Sequence, residues 1–349
     1  MEKIKKKSRF ASFFTTLIED MKDKERRQIR VKVIAQSLIK LCWALFRTFI
    51  IIGMSFVLIY PLLYMFSMSF RSVSDMYDPS VVWIPRNFTL ENLKGALKAM
   101  DYWNSLWNTV TLDVVSSVIQ VFICAIVGYG FARFKFKGRG LMFGLVIMTI
   151  VVPTQTILIS LYGTYRNFDL FGILSIYNWF GEMFMGAAFE PVYISLLNNH
   201  LVFYLPALVG TGIRAGLYIF IYRQFFRGLP KELEEAAWID GCGKLKTFWR
   251  VMLPNATAVF ITVFLFSLVW YWNDYFNSSM FISAVPTIST KLASLQGGGL
   301  EGVTSTTDPL QKSTYVQAGA LMSIAPMLIL YMIFQRQFTE SIERSGIVG

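Results

Sequence analysis

The chain is poor in the residues that most enzyme sites require. It has one histidine, His200, and three widely separated cysteines among 349 residues. A histidine-based triad has almost no material, and no cysteine pair has the spacing of a zinc or redox site. Charged residues make up 16% of the chain, whereas an ordinary soluble domain has about 25%. We therefore predict no catalytic residue and no metal site, and the low charge argues against a soluble fold.

The sequence is instead rich in long apolar segments. Hydrophobic residues make up 54% of it, and the mean hydropathy is +0.49. Six segments with few or no charges approach the roughly 20 residues that a spanning helix needs. They are 48–70, 114–132, 140–165, 201–222, 255–273 and 313–335. Backbone groups in lipid must pair internally, and the alternation of a barrel is missing. The sequence therefore predicts an all-α polytopic membrane bundle with six transmembrane helices.

One further stretch, residues 167–200, is apolar but interrupted. Its longest charge-free run, 170–181, is short for a span and is followed by Glu182 and Glu190. We expect an external or interfacial insertion. The alternative is another span, which would invert everything after it.

Basic residues mark the predicted topology. The net charge is +11, and residues 1–40 carry 12 basic against 5 acidic side chains, while the loop at 133–139 is purely basic. These charges flank apolar segments, so the positive-inside rule explains them better than a nucleic-acid partner does. We predict a multi-pass protein of the cell (plasma or inner) membrane with both termini cytoplasmic. Residues 1–40 form a basic segment, either a helix on the membrane surface or a solvated tail; 41–336 form the transmembrane domain and 337–349 a cytoplasmic tail.

The loop at 229–254 has the pattern of a helix–turn–helix. Pro230 suits the start of a helix, acidic residues follow in its first turns, and Gly241 and Gly243 permit a tight reversal. A second short helix runs on to Pro254. Four apolar residues are expected to hold this unit in place: Leu233, Ile239, Phe248 and Val251.

This loop resembles the EAA loop of permeases from binding-protein-dependent ABC importers. The family spacing is Glu-Ala-Ala, three residues, Gly, nine residues, an aliphatic residue, one residue and Leu-Pro. The matching residues are Glu235, Ala236, Ala237, Gly241, Val251, Leu253 and Pro254, with Asp240 inside the motif. The one departure is Val251, where isoleucine is usual. Segments 150–162, 223–243 and 270–276 look like the carbohydrate-uptake branch, specifically the shorter permease of the maltose type.

The resemblance implies a type I importer in which this chain pairs with a second, homologous permease. Two cytoplasmic ATPase subunits would carry ATP and Mg²⁺, and an extracellular or periplasmic solute-binding protein would deliver the substrate; this chain itself would hold no cofactor. The loop 229–254 would dock on an ATPase, with Glu235 in a charged contact and Gly241 at the turn. The tail, with Arg344, Gly346 and Gly349, would reach the ATPases, or else it is a solvated end. The segment 1–40 and the insertion 167–200 are longer than usual for the family.

Two charges fall at membrane depth. Arg214 lies near the middle of the fourth predicted span and Asp113 at the edge of the second. A charge at a helix centre costs roughly 2.5–3.5 kcal/mol on insertion scales, so such residues usually have a role. Three interpretations stay open: the two pair structurally, Arg214 lines a substrate path, or Arg214 faces another subunit. Trp270, Trp272 and Asn273 either contact a sugar or form an interfacial aromatic belt.

The functional prediction is a permease subunit, not an enzyme, that moves a sugar or oligosaccharide by alternating access. Gly243-Lys244 is followed by Leu245, so the phosphate-loop pattern fails and ATP must bind elsewhere. The alternatives are an ion-coupled carrier, an importer of another solute and a membrane-embedded enzyme. A carrier would need recurrent intramembrane carboxylates, and an enzyme would need paired acids or a His/Ser constellation.

Overall fold

The computed structural model describes residues 24–169, 172–185, 190–300, 303 and 308–346, with side chains described only between residues 32 and 336. Within those ranges the chain is helical and forms no β-strand. Two isolated bridges join Arg71 to Phe88 and Phe168 to Ile194.

Sixteen α-helices lie in the described ranges. They are α1 (Lys24–Ser69), α2 (Val73–Met76), α3 (Glu91–Ala99), α4 (Tyr102–Arg133), α5 (Arg139–Val151), α6 (Leu158–Arg166), α7 (Ile173–Met185), α8 (Leu201–Leu208), α9 (Ala215–Gly228), α10 (Glu232–Ile239), α11 (Lys244–Thr247), α12 (Leu253–Asn255), α13 (Thr257–Trp272), α14 (Phe276–Phe281), α15 (Ile288–Gln296) and α16 (Pro309–Gly346). A 3₁₀ turn, Thr154–Ile157, precedes α6, and a π turn, Phe248–Met252, joins α11 to α12.

The chain divides into two compact units at Tyr64, inside α1. The described part of the first unit is α1 up to Tyr64, whose side chains from Lys32 onward are mostly apolar and exposed. The second unit, from Met65, contains every other helix.

Several helices are long and apolar enough to cross a membrane. Three are continuous: Lys32–Ser69 within α1, α4, and Pro309–Arg336 within α16. Two more candidates are bent pairs: α5 with the segment Thr154–Arg166, at 97°, and Lys244–Asn255 with α13, at 80°. Pro153 stands at the first bend and cannot supply a helical N–H there. The described residues thus agree with the predicted all-α membrane bundle. By length and composition they supply three spans, or five if each bent pair is one span, so the count of six stays a prediction.

The fourth predicted span, 201–222, is not a continuous helix. It is divided into α8 and α9 by residues 209–214, which we call the helix break. Gly210 and Arg214 both have left-handed backbone, with φ of 74° and 59°. Pro206 within α8 also lacks an N–H for the helix ladder. Sequence hydropathy averages over such a segment, so the expectation that Arg214 lies in mid-helix was wrong: it is the residue before α9 begins.

Helix α4 is the centre of the second unit and packs against α8, α9 and α13. Its buried residues Cys124 and Tyr129 share a core with Tyr218, Tyr222 and Phe226 of α9. Between helices in lipid the hydrophobic effect contributes little, so close packing matters more. Gly128 provides it: a Cβ at this position would lie 2.6 Å from the Tyr222 Cβ.

The described part of the stretch 167–200 contains one helix, α7. Its 13 residues are fewer than a span requires, and its apolar residues are exposed. This length favours an insertion over an additional span, and its side of the membrane stays a prediction.

Candidate functional site

The loop 229–254 folds as the predicted helix–turn–helix, which we call the knob. Helix α10 begins two residues after Pro230, and its first turn contains Glu232, Glu234 and Glu235. Acidic side chains there interact favourably with the unpaired N–H groups at the start of the helix.

The reversal after α10 depends on one glycine. Gly241 has φ of 77°, and its N–H donates to the Trp238 carbonyl at 3.0 Å while the Cys242 N–H donates to the Ala237 carbonyl at 2.9 Å. These bonds end α10 with a left-handed residue, as glycine permits. Gly243 differs from the prediction because its φ is −74°: it precedes α11 in extended backbone and needs no glycine for its conformation.

The knob exposes acidic, basic and apolar residues; its exposed basic residues are Lys231, Lys244, Lys246 and Arg250. Glu235, Ala236, Asp240 and Gly241 are exposed, and Ala237 is buried. Val251 and Leu253 are half-buried, and Pro254 is exposed. The large exposed apolar residues of the knob are Trp238, Ile239, Leu245 and Trp249. Ile239 is 87% exposed, so the expectation that it holds the knob in place was wrong; Phe248, at 2% exposure, does so.

The buried acid of the knob is Glu234, which sequence reasoning missed. Its Oε2 lies 3.1 Å from Arg133 Nε, with both side chains under a tenth exposed, and the Tyr129 hydroxyl donates to its Oε1 at 2.6 Å. The Arg133 contact is a Coulombic pair rather than an aligned hydrogen bond, since that N–H does not point at an acceptor. Arg133 Nη2 also donates to the Leu229 carbonyl at 2.7 Å. The available sequence signal was Arg133, read only as a topology marker.

A cavity of about 310 Å³ opens beside the helix break. Residues from α6, α8, α13 and α14 line it together with the break. The side chain of Arg214 lies over the Trp270 ring, with the guanidinium carbon 4.1 Å from the ring centroid. Stacking on an indole leaves the guanidinium N–H groups at its edge able to bind a ligand.

Hydrogen bonds fix the walls of this cavity. Gln120 of α4 donates to the Ile213 carbonyl in the break, and the Tyr271 hydroxyl donates to the Gln120 side-chain oxygen, both at 2.5 Å. Three residues after Tyr271, the Asp274 carboxylate accepts from Asn277 and from the Ser278 N–H and hydroxyl. Burial raises the pKa of Asp274 above its usual range, against these hydrogen bonds.

The structure brings together three of the five predicted path residues. Arg214, Trp270 and Asn273 all line the cavity. Trp272 does not: it is buried and donates to the Ser323 carbonyl of α16 at 3.1 Å. Asp113 is 3% exposed inside α4 and accepts from Ser117. Among the described residues no ion pair joins Arg214 to Asp113, so the structural pairing of these two charges is not formed.

The predicted tail contacts lie at the end of the described ranges. Arg344 and Gly346 fall in the last turns of α16, where only the backbone is described, and Gly349 is outside the described residues. No cluster of three potential metal ligands occurs in the described ranges. Nor does the sequence contain a phosphate loop, and the expectation that this chain holds no cofactor stays a prediction.

Comparison with known proteins identifies the chain's relatives. The model of the family described as "Binding-protein-dependent transport system inner membrane component" matches residues 120–344. Protein LplC of Bacillus subtilis is 26% identical over 308 residues, which cover 85% of this chain and 92% of that protein. The arabinooligosaccharides transport system permease protein AraQ of Halalkalibacterium halodurans is 26% identical over 84% of this chain and 93% of its own length.

The trehalose transport system permease protein SugB of Mycobacterium tuberculosis is 24% identical over 88% of this chain and 97% of its own length. A solved structure of a bacterial ABC transporter involved in import of the acidic polysaccharide alginate contains a chain of the same fold. That chain superposes with a TM-score of 0.61 at 21% identity, covering 84% of this chain and 96% of its own length.

Proposed function

Because the chain belongs to the family of inner-membrane components of binding-protein-dependent transport systems, we propose that it is the permease subunit of an ATP-driven sugar importer. The chain is a multi-pass membrane permease rather than an enzyme. The solute would be a sugar or oligosaccharide, moved across the cell membrane by alternating access between inward-open and outward-open states. ATP and Mg²⁺ would be bound by separate ATPase subunits.

The knob carries this proposal. Its first helix presents Glu235 beside exposed Trp238 and Ile239, and large exposed apolar residues next to charged ones suit a protein partner. By the EAA spacing, Glu235 and Asp240 would contact an ATPase subunit, and Gly241 would shape the turn that enters it. The assembly would contain two ATPase subunits, a second homologous permease and an extracellular or periplasmic solute-binding protein. The tail with Arg344, Gly346 and Gly349 would add a further ATPase contact.

The sugar class is supported by two observations. Several relatives are named for sugars, among them arabinooligosaccharides, trehalose and melibiose, raffinose and stachyose. The cavity at the helix break also combines an aromatic face, Trp270, with amide and guanidinium groups from Asn273 and Arg214. Apolar ring faces and convergent polar groups are what a small-molecule site requires.

The basic flanks support an orientation with both termini and the knob in the cytoplasm. This orientation would place the knob on the side where ATP is available. The basic segment 1–40 would then lie at the cytoplasmic face, and the insertion 167–200 at the opposite face.

Reconstitution tests the proposal. The chain is co-expressed with its partner permease, ATPase and binding protein, and the purified complex is placed in vesicles. Uptake of a labelled sugar panel should require both the binding protein and internal ATP, and it should persist when proton and sodium gradients are collapsed. Uptake that follows an ion gradient without ATP would identify a secondary carrier instead. ATP-driven uptake of a different solute would support the assignment as an importer and contradict the assignment of a sugar substrate.

A further inference from the structure

Helix α4 contacts the knob at its C-terminal end and the helix break nearer its middle. A second contact with the knob lies close to the break, where the Phe122 ring is 5.9 Å from the Trp249 ring. At the knob end, Arg133 pairs with Glu234 at 3.1 Å and donates to the Leu229 carbonyl, while Tyr129 donates to Glu234. The Tyr129 ring also lies 5.1 Å from the Phe248 ring in the π turn. The first and second halves of the knob are therefore both attached to the same turn of α4.

The next attachment along α4 is the close approach at Gly128. A Cβ added to Gly128 would meet the Tyr222 side chain and the backbone of residues 219 and 223 of α9, so no larger side chain fits there. Helices that approach this closely have interlocked backbones and slide past one another poorly. Helix α9 continues directly into the knob, and α4 is packed tightly against α9. The two helices should therefore move together when the knob moves.

The attachment furthest from the knob is Gln120. Its amide donates to the Ile213 carbonyl, one residue before Arg214, and its oxygen accepts from Tyr271. Gln120 is fully buried. Thirteen residues separate it from Arg133, so a helical rise of 1.5 Å per residue puts the two contacts about 20 Å apart. One helix thus connects the knob to the segment that holds Arg214 over Trp270.

We propose that Glu234 is a positioning residue that fixes the knob to α4, so that displacement of the knob by a partner is delivered through α4 to the helix break and its cavity. This inference rests on the proposed function, because it supposes a partner that moves the knob. Glu234 differs from Glu235 in its role: Glu235 faces outward for docking, whereas Glu234 faces inward and holds the docked part to the membrane helices.

The chemistry of the pair supports this role. Removing one partner of a buried ion pair leaves the other charge desolvated and unpaired, so the knob of a Glu234→Gln variant loses its preferred position on α4. Helix α4 can carry such a displacement because direct contacts join it to the knob at one place and to the helix break at another. Loss of the Glu234 contact is expected to weaken the coupling between the knob and the helix break while leaving both of them folded.

The experiment uses the complete transporter complex and follows the break directly. Thr211, an exposed residue of the break, is replaced by cysteine in a background with Cys42→Ser and Cys242→Ser. Cys124 is buried and is left in place. The rate of maleimide labelling at position 211 is measured without nucleotide and with ATP. The ratio of solute uptake to ATP hydrolysed is measured in parallel.

In the parent complex, ATP should change the labelling rate, since the break moves with the knob. In Glu234→Gln this change should shrink about fivefold, and uptake per ATP should fall by a similar factor, while the ATPase still co-purifies. The double swap Arg133→Glu with Glu234→Arg should recover much of both readouts. The matched control is Glu232→Gln, an exposed acid on the same helix, which should behave as the parent.

A Glu234→Gln complex that keeps the full ATP-dependent labelling change would overturn the proposal. If that variant fails to assemble, Tyr129→Phe removes one hydrogen bond and keeps the ion pair; it should assemble and lower the labelling change about twofold. Failure of Tyr129→Phe to assemble as well would show that the cluster serves folding alone, which also overturns the proposal. The labelling readout does not require the solute to be known, so an error in the sugar assignment leaves this test intact.

Discussion

The guanidinium of Arg214 and the indole of Trp270 stack 4.1 Å apart at the mouth of a cavity formed by a broken helix. Left-handed backbone at Arg214 aims its side chain at Trp270, and the carbonyl next to it is held by Gln120. A cation at membrane depth is costly, and here an aromatic face takes the place of a counter-ion within the described part of the chain.

We expect this stack to matter for transport more than for folding. Arg214→Leu and Trp270→Ala should each lower sugar uptake about tenfold or more, because they remove a charged hydrogen-bond donor or its supporting face. Uptake by reconstituted complexes, normalised to the amount of assembled protein, measures the effect. Trp107→Phe alters an exposed tryptophan that does not line the cavity and should leave uptake unchanged. Normal uptake in both cavity variants would remove Arg214 from the path.

The exposed acid of the knob predicts the strength of partner docking. Glu235→Ala should weaken binding of the ATPase subunit about tenfold, or ~1.4 kcal/mol, since it removes a charge from the docking surface. Binding of the purified ATPase to vesicles containing the permease measures this affinity. Glu232→Ala removes the same charge from the same helix outside the family motif and should change the affinity less than about twofold. Equal effects of the two variants would reduce the role of Glu235 to general electrostatics.

Alanine substitutions at two glycines of the knob distinguish the cost of backbone strain from the cost of steric crowding. A Cβ added to either would meet no atom within 4 Å, but Gly241 has φ of 77° and Gly243 has φ of −74°. Gly241→Ala should therefore destabilise the turn by about 1–2 kcal/mol, the cost of left-handed backbone for an L-residue. Gly243→Ala should be nearly neutral. Thermal unfolding of the detergent-solubilised protein compares them, and equal melting temperatures would contradict the left-handed turn.

The α4–α9 contact predicts opposite outcomes for the same substitution at two positions. Gly128→Ala forces a Cβ to 2.6 Å from Tyr222 and should cost about 1–3 kcal/mol through overpacking. Gly130→Ala, two residues on, meets nothing nearer than 4.0 Å and should gain about 0.5–1 kcal/mol of helix stability. The melting temperatures of the two variants should move in opposite directions. A tolerated Gly128→Ala would mean that the two helices do not pack backbone to backbone at this point.

The hydrogen bonds of Asp75 predict that the stability of the loop at residues 71–90, outside the predicted spans, depends on pH. Its carboxylate accepts from the Asn87 backbone N–H at 2.8 Å and from the Asn87 amide at 2.9 Å, which lowers its pKa below the ordinary value of 3.8. Because the pKa of Asp75 is lower in the folded loop than in the unfolded chain, its carboxylate stabilises the loop fully above the ordinary pKa. This stabilisation is lost as the pH falls through the lowered pKa. The hydrogen-exchange protection factors of residues 71–90, which correct for the intrinsic pH dependence of amide exchange, should fall on acidification below about pH 3.8. Asp75→Asn should lower the protection factors at neutral pH and leave only the part of the acid dependence that Asp78 supplies, because hydrogen bonds from Ser80 lower the pKa of Asp78 as well. Glu91→Gln should retain the full acid dependence.

The sequence predicted the knob well because its determinants are local. The acidic first turn and Gly241 act within a few residues, and the structure places the first helix and the turn accordingly. Pro230 is not at the first helical position as predicted, since Lys231 is the N-cap and the helix begins at Glu232. The inward orientation of Glu234 was not predictable in the same way. Glu234 and Glu235 are neighbours on one helix, and the choice between them depends on Arg133, which belongs to a distant part of the chain.

The helix break escaped prediction for a different reason. Segment 201–222 is as apolar as a true span, and hydropathy does not register the backbone direction of Gly210 or Arg214. Proline within an apolar segment is common in membrane helices, so Pro206 alone gave no signal. Only the packing of Gln120 and Tyr271 against the break shows that the interruption is held in place.

If a partner displaces the knob as proposed, the bend of 80° between Lys244–Asn255 and α13 would set the direction in which α13 moves. A force directed along the second half of the knob has only a small component along the axis of α13. Most of it acts as a torque about the corner at Ala256, which tilts α13 rather than pushing it lengthwise. A tilt about that corner moves the far end of α13 the most, and that end carries Trp270 and Tyr271.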